Sequence, residues 1–352
     1  MMSWLLSSML KLKFNVEYIK REKRISPYIV LELKDLGVMF NKINILPETL
    51  LYDQATHLYY LVYADRSVKP SQIGLACSKN LLEWEDIGDI SIHGNEKTIL
   101  DAPHIMEMHG EYFIFFARVD DKISLTKRIY LAESEEITGP YKQLSNKPVL
   151  DIGKNGEFDS GRVDEPFVLY DGKFFHMLYM GAPRENINKE QVGYARADKI
   201  DGPYVKIEDN PVLKFGSSYD EFTVADPHVL EYKNIKFIFY SCSGKITGAK
   251  EYGSSPWLTA VAYTKDFKVY KKVGLLKIRT KDFSKHRSYF RGSFFVKDEN
   301  LYFVYTGQDY RRHFYPMLAY APISVLELLY QSLFPRMQEK LSKRNLSFQK
   351  DK

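Results

Sequence analysis

The 352-residue chain has only two cysteines, Cys77 and Cys242, each inside an apolar, strand-like run. They carry neither a disulfide framework nor a metal-ligand spacing and are expected to be two buried thiols. Charge of one sign is also lacking. Fifty Lys and Arg against 45 Asp and Glu leave +5 at pH 7, too diffuse a surplus to indicate nucleic acid as a partner. The basic run Lys20–Arg24 and the tail after Arg336 read as a solvated face and a loose terminus. Long hydrophobic runs are missing too. Met1–Leu10 (MMSWLLSSML) is apolar, but it is far too short to span a bilayer, no cation precedes it and no small-residue cleavage site follows. The expectation is a soluble, cytoplasmic protein without a membrane partner.

Aromatic residues, by contrast, are abundant: 26 Tyr and 22 Phe bring the aromatic share to 14%. Both favour strands, so the composition leans to β structure. A repeat confirms the lean. Five times a Pro or Gly turn and an apolar run are followed by a short polar turn and an aromatic-rich run. The pairs begin near Leu46, Asp101, Asp164, Asp226 and Arg291, and lead to Leu58–Tyr63, Tyr112–Phe116, Phe174–Tyr179, Phe237–Tyr240 and Leu301–Tyr305. Anchored on Pro47, Pro103, Pro166, Pro227 and Gly292, the spacings are 56, 63, 61 and 65 residues. An outer segment recurs in register: Gly139-Pro140-Tyr141 through Val149-Leu150 matches Gly202-Pro203-Tyr204 through Val212-Leu213, 63 residues on.

A fixed period of that length argues against a β-sandwich, and it is longer than the roughly 40–45 residues of a WD-type blade. It predicts an all-β, five-bladed β-propeller of four-stranded antiparallel blades. Each apolar pair supplies the two inner strands of a blade, joined by hairpins such as Tyr170-Asp171-Gly172-Lys173. The expected organisation is an N-terminal segment 1–40 that closes the ring, with Lys13–Ile19 adding an outer strand to the last blade, and a five-bladed domain over 41–323. Residues 324–352 then form a short C-terminal helix, reaching Leu341, and a basic tail.

In a propeller the starts of the inner strands meet at one mouth of the central channel. Here those positions carry Glu48, Asp101, Asp164, Glu165 and Asp226, with His104, His228, Arg162 and Arg291 beside them. Asp before Pro is also a common turn opener, so no single acid identifies a site. Carboxylates collected from four blades at one mouth, with an arginine from the fifth, do point to one. His104 and His228 follow the Pro of blades two and four. A lone histidine there is more often a polar contact or packed ring than a ligand, so neither a metal site nor a cofactor is expected.

The runs Asp101-Ala102-Pro103, Arg162-Val163-Asp164-Glu165-Pro166-Phe167-Val168 and Ala225-Asp226-Pro227, with the Gly-Pro-Tyr and Asn-Pro-Val-Leu outer segments, resemble the five-bladed propeller glycosidases. These comprise the arabinanase/β-xylosidase group (glycoside hydrolase family 43), the invertase-like enzymes and the β-mannoside phosphorylases. The resemblance spans about 41–329 and implies a glycoside or oligosaccharide substrate. It also implies cleavage by one carboxylic acid that protonates the leaving oxygen and a second group that activates water. Carried over position by position, it makes Asp226 the general acid, Glu165 its tuner, and Asp101 or Glu48 the base. Blade one departs from the pattern, with Leu46-Pro47-Glu48 where Asp-Pro is expected, and blade four has Asp where Glu is usual.

Asp164, Arg162, Arg291, His104, His228 and Trp257 are then candidate substrate contacts. Trp257 either packs on the rim or stacks on a sugar ring. Arg162 and Arg291 suit sugar hydroxyls, a carboxylate or a phosphate. Two other readings stay open: a phosphorylase, with inorganic phosphate as second partner in place of the base, and a non-catalytic carbohydrate-binding propeller.

Overall fold

The computed structural model describes residues 20–95, 97–121 and 123–335. Three sheets are separate meanders. The first runs Ile45–Asp53, Leu58–Asp65, Gln72–Ser78, Glu85–Asp89. The second runs Leu100–Met108, Glu111–Asp121, Thr126–Ser134, Tyr141–Gln143, with Ile92–His93 added in parallel at its outer edge. The third runs Arg162–Tyr170, Phe175–Ala182, Gln191–Ala197, Val205–Lys206.

The fourth sheet has eight strands and consists of two meanders joined at their outer edges. One is Thr223–Tyr232, Ile235–Ser243, Leu258–Thr264, Lys271–Arg279; the other starts with Ser288–Lys297, Asn300–Gln308, Phe314–Pro322. The join is Ile29–Val38, antiparallel to Phe314–Pro322 and parallel to Lys271–Arg279. Lys13–Ile19, the expected outer strand, lies outside the described residues.

The first strands of these meanders touch one another in chain order, and Ser288–Lys297 returns to touch Ile45–Asp53. The result is a closed ring, a β-propeller arrangement with the sheets set around a central axis. Second strands lie in the middle of their sheets with neighbours on both faces, which is why they read as nearly unbroken apolar runs. Phe175–Ala182 is buried at every position, and Leu58–Asp65 at all but its first.

The outer segments that repeat in sequence also repeat in space. Val149 N–H donates to the Ile129 carbonyl (2.9 Å) and Val212 N–H to that of Val192 (2.8 Å), while Tyr141 and Tyr204 are buried beside them. Of the two thiols, Cys242 is buried and Cys77 half-buried; both are free.

The C-terminal helix, Ser324–Leu333, buries Leu326, Leu329 and Tyr330 against the largest apolar cluster. It breaks at Phe334 because the next residue is Pro335, whose ring disfavours helical backbone in the residue before it. The expected continuation to Leu341 falls outside the described residues. Among the described residues no helix is long and apolar enough to cross a membrane.

Candidate active site

Every first strand carries a β-bulge at the same level. The register slips at Glu48, at Ala102-Pro103, at Glu165-Pro166, at Asp226-Pro227 and at Arg291. Ala102, Glu165, Asp226 and Arg291 all take φ near +50°, a conformation unfavourable for residues with a side chain. A bulge leaves one residue unpaired and re-aims its side chain. Here it directs side chains from successive sheets toward one axis. The bulge sets Glu48, Ala102, Glu165, Asp226 and Arg291 in equivalent places, so Glu48 is the first-sheet counterpart of Asp226. Asp101 sits one residue before its bulge, as Asp164 does.

Arg291 is the hub, 6% exposed. Its Nε donates to Glu48 Oε1 (2.5 Å), and its Nη2 reaches Glu165 (2.6 Å) and Asp101 (3.3 Å). Asp101 is further held by Arg66 (2.6 Å) and Lys127 (2.8 Å), and Lys127 also reaches Asp164 (2.5 Å). Arg162 pairs with Glu190. Asp226 makes no ion pair among the described residues.

Six carboxyl groups thus face four cations, and several of the acids are pushed up in pKa. Burial pushes Glu48 up to about 8, against the pull of Arg291 and helped by Asp101 and Asp226. Burial likewise raises Glu165 well above the usual carboxylate range, with Glu48, Asp226 and Asp164 adding to it. Asp226 is raised by burial and by Asp164. Asp101 goes the other way: burial would raise it, but Arg66, Lys127 and Arg291 together hold it well below the usual range.

These shifts carry a pH dependence of stability. A carboxyl protonated in the fold at about 8 but ionising near 4.5 when unfolded favours the fold below 4.5 and loses that contribution as pH rises toward 8. Asp101 has the opposite sign and matters only in acid. Unfolding free energy from urea titrations is therefore expected to fall between about pH 5 and pH 9 in wild type. That slope should flatten in Glu48→Gln.

Oxygens of Glu48, Asp101 and Glu165 lie within 4.8 Å of one another. An acid and base acting across a bond with a water between them need about 6.5–9.5 Å, so no two of these three form that pair with each other. Nor is the cluster an evident cation site, since the Arg291 guanidinium already binds all three. The open space lies above it, a pocket of about 200 Å³. Carboxyl groups of Asp164, Glu165, Glu190 and Asp226 line it, as do Arg66, Lys127, Arg162 and Arg291. Trp257, Phe290 and Phe314 form an aromatic wall, with ring centroids 5.1 Å apart for the first pair and 6.1 Å for the second. Glu48 faces a space of about 20 Å³ underneath.

His104 and His228 sit deeper still. Their rings flank Phe167 at 4.6 and 4.3 Å. His104 meets Thr49 (3.0 Å) and the Val168 carbonyl (2.8 Å), and His228 Nε2 accepts from Phe294 N–H (3.2 Å). Burial lowers them to about 4 and about 3, so both are neutral packing groups of the channel floor and touch no part of the main pocket.

Sequence reasoning brought most of the acids together but missed Arg66, Lys127, Glu190, Phe290 and Phe314. A signal for several of them exists. First and third strands of a meander run the same way, so third strands also begin at this mouth. Lys127, Glu190, Trp257 and Phe314 stand at or next to the starts of Thr126–Ser134, Gln191–Ala197, Leu258–Thr264 and Phe314–Pro322.

Acids whose pKa values are pushed apart share a pocket with three aromatic rings at one mouth of a closed ring of sheets, the architecture of a β-propeller with a site at its channel mouth. Comparison with known proteins carries this to the family. The model for glycosyl hydrolases family 43 matches residues 46–317, and the chain belongs to that family; it is a glycosidase. Solved structures with the same fold include the BT0996 RGII complex, with a TM-score of 0.67 and 16% identity over 86% of this chain and 95% of that one. A thermostable family-43 glycoside hydrolase has a TM-score of 0.61 and 18% identity over 81% and 91%. An α-L-arabinofuranosidase from Lactobacillus brevis has a TM-score of 0.56 and 14% identity over 84% and 93%. No curated protein sequence is significantly similar.

Proposed function

We propose that residues 41–323 form a five-bladed catalytic propeller, the eight-stranded sheet counting as two blades closed by the strand from the N-terminal segment 1–40. In this reading the pocket hydrolyses a glycosidic bond of a glycoside or oligosaccharide. The observation that carries it is Asp226: a raised-pKa carboxyl without an ion-pair partner among the described residues, on the wall of a pocket whose other side is aromatic. A carboxyl whose pKa is raised by burial is suited to deliver a proton to a leaving oxygen. Glu165, on the same pocket and held by Arg291, tunes it. Between the two candidates for the base, Asp101 is the one kept ionised, whereas Glu48 carries a proton at neutral pH. Trp257 and Phe290 offer apolar faces on which a sugar ring can stack.

A specific observation favours a second reading, phosphorolysis. Neither Asp101 nor Glu48 lines the main pocket, whereas Arg66, Lys127 and Arg162 do, and a phosphate bound there would dispense with the base. One experiment separates the two. Aryl α-L-arabinofuranosides and β-D-xylosides are incubated with and without inorganic phosphate while free sugar and sugar phosphate are measured. Hydrolysis predicts phosphate-independent release of free sugar; a strict requirement for phosphate and a sugar phosphate product would establish the alternative.

A further inference from the structure

Glu190 is a pocket acid that neither the bulges nor the family resemblance accounts for. It lies just before Gln191–Ala197, at the seam between the third sheet and the next. Its carbonyl accepts from Val224 N–H (3.1 Å), two residues before Asp226. Its carboxylate is held by Arg162, whose own Nε is buried without a hydrogen-bond partner among the described residues. Glu190 and Asp226 both line the pocket. Arg162 pairs with Glu190, whereas Asp226 makes no ion pair among the described residues and feels Arg291 and Arg66 only at longer range. Both acids are raised by burial at one pocket, and the negative charge of Asp226 adds to the rise of Glu190, so ionising both at once is disfavoured and a proton stays with the pair.

We propose that Glu190 and Asp226 form a coupled acid pair that shares one proton, with Glu190 as the positioning residue that keeps Asp226 able to donate. This rests on the hydrolytic reading above and adds to it a second acid. In the reaction the shared proton passes from Asp226 to the oxygen of the departing alcohol as the glycosidic C–O bond breaks. The water that attacks the anomeric carbon gives its proton to the base, and the pair regains a proton from solvent. The titration of Glu190 agrees with the sharing. Burial, together with the charges of Asp226 and Asp164, lifts it to about 7 despite Arg162.

The test is Glu190→Gln, read in two ways. The first needs no substrate: the protein is labelled with ¹³C at the Asp and Glu carboxyls and titrated by NMR. Wild type is expected to show two carboxyls titrating together around neutral pH. Glu190→Gln removes one and moves the other to lower pH by about one unit or more, because a negative charge that faces the same pocket is gone. Arg162→Met in the Glu190→Gln background is expected to move it back up.

The second reading is the pH profile of kcat/KM. In Glu190→Gln its alkaline limb is expected to move to lower pH by the same amount. Each pH unit that the limb moves costs roughly tenfold at neutral pH on methyl glycosides. On 2,4-dinitrophenyl glycosides, whose leaving group needs no proton, the loss should be slight. A purely structural role would lower both substrates alike and leave the limb in place. The pairing is overturned if the Asp226 carboxyl titrates unchanged in Glu190→Gln. Turnover of the methyl glycoside that survives in Asp226→Asn would instead overturn the assignment of the acid, whatever Glu190 does.

Discussion

Arg291→Met is expected to cost about 3–5 kcal/mol of folding stability, the range seen when one partner is removed from a buried ion pair. The guanidinium joins the last meander of the ring to the first three through Asp101, Glu48 and Glu165, all at the closure of the ring. Methionine fills much of the volume and leaves three acids facing one another. Asp101 keeps Arg66 and Lys127, so the cost falls on Glu48 and Glu165, which must take up protons fully or separate. Urea denaturation near neutral pH measures the loss, and Arg291→Met combined with Glu48→Gln should recover part of it by removing one of the stranded carboxyls. A single variant as stable as wild type would mean that the cluster is not held together by this residue.

Asp226→Asn is expected to lower kcat by about 10²–10⁴-fold on glycosides with poor leaving groups, the span that one general acid contributes. Folding stability should change by less than about 1 kcal/mol, since Asn is close in shape and replaces a carboxyl whose charged form burial disfavours and that pairs with no cation among the described residues. The contrast with Arg291 is physical. One group fastens the ring and the other faces open space on the pocket wall, so one variant loses the fold and the other the reaction. Initial rates on a methyl glycoside, beside a thermal melt, are sufficient to see it. Loss of stability in parallel with activity would place Asp226 among the fastening groups instead.

Much of this was legible in the residues because repeats are local statements. Each apolar pair with its polar turn specifies two strands and their hairpin without reference to the rest of the chain. The recurrence of Gly-Pro-Tyr and Pro-Val-Leu announced equivalent outer segments, and these do make equivalent hydrogen bonds. An acid before Pro marked the bulges of the third and fourth sheets in the form Glu165-Pro166 and Asp226-Pro227. The same signal misled in the second, where Asp101 is one residue off and Ala102 occupies the bulge. A short Asp-Ala-Pro run does not say which of its residues will be turned toward the axis; that depends on where the partner strand loses register.

What the sequence determined by itself was the β architecture, the repeat, the glycosidase resemblance and the gathering of acids at one mouth, all of which follow from pattern and chain order. Which acid is ionised was decided only by tertiary structure, because protonation depends on how many cations lie within a few ångströms and how much water is excluded. Asp101 and Glu48 are similar as residue types. One lies among Arg66, Lys127 and Arg291 and keeps its charge, while the other shares a single arginine and holds a proton. Glu190 and Lys127 entered the site for the same kind of reason: third strands return to the mouth that first strands define, and only the closed ring brings their ends together.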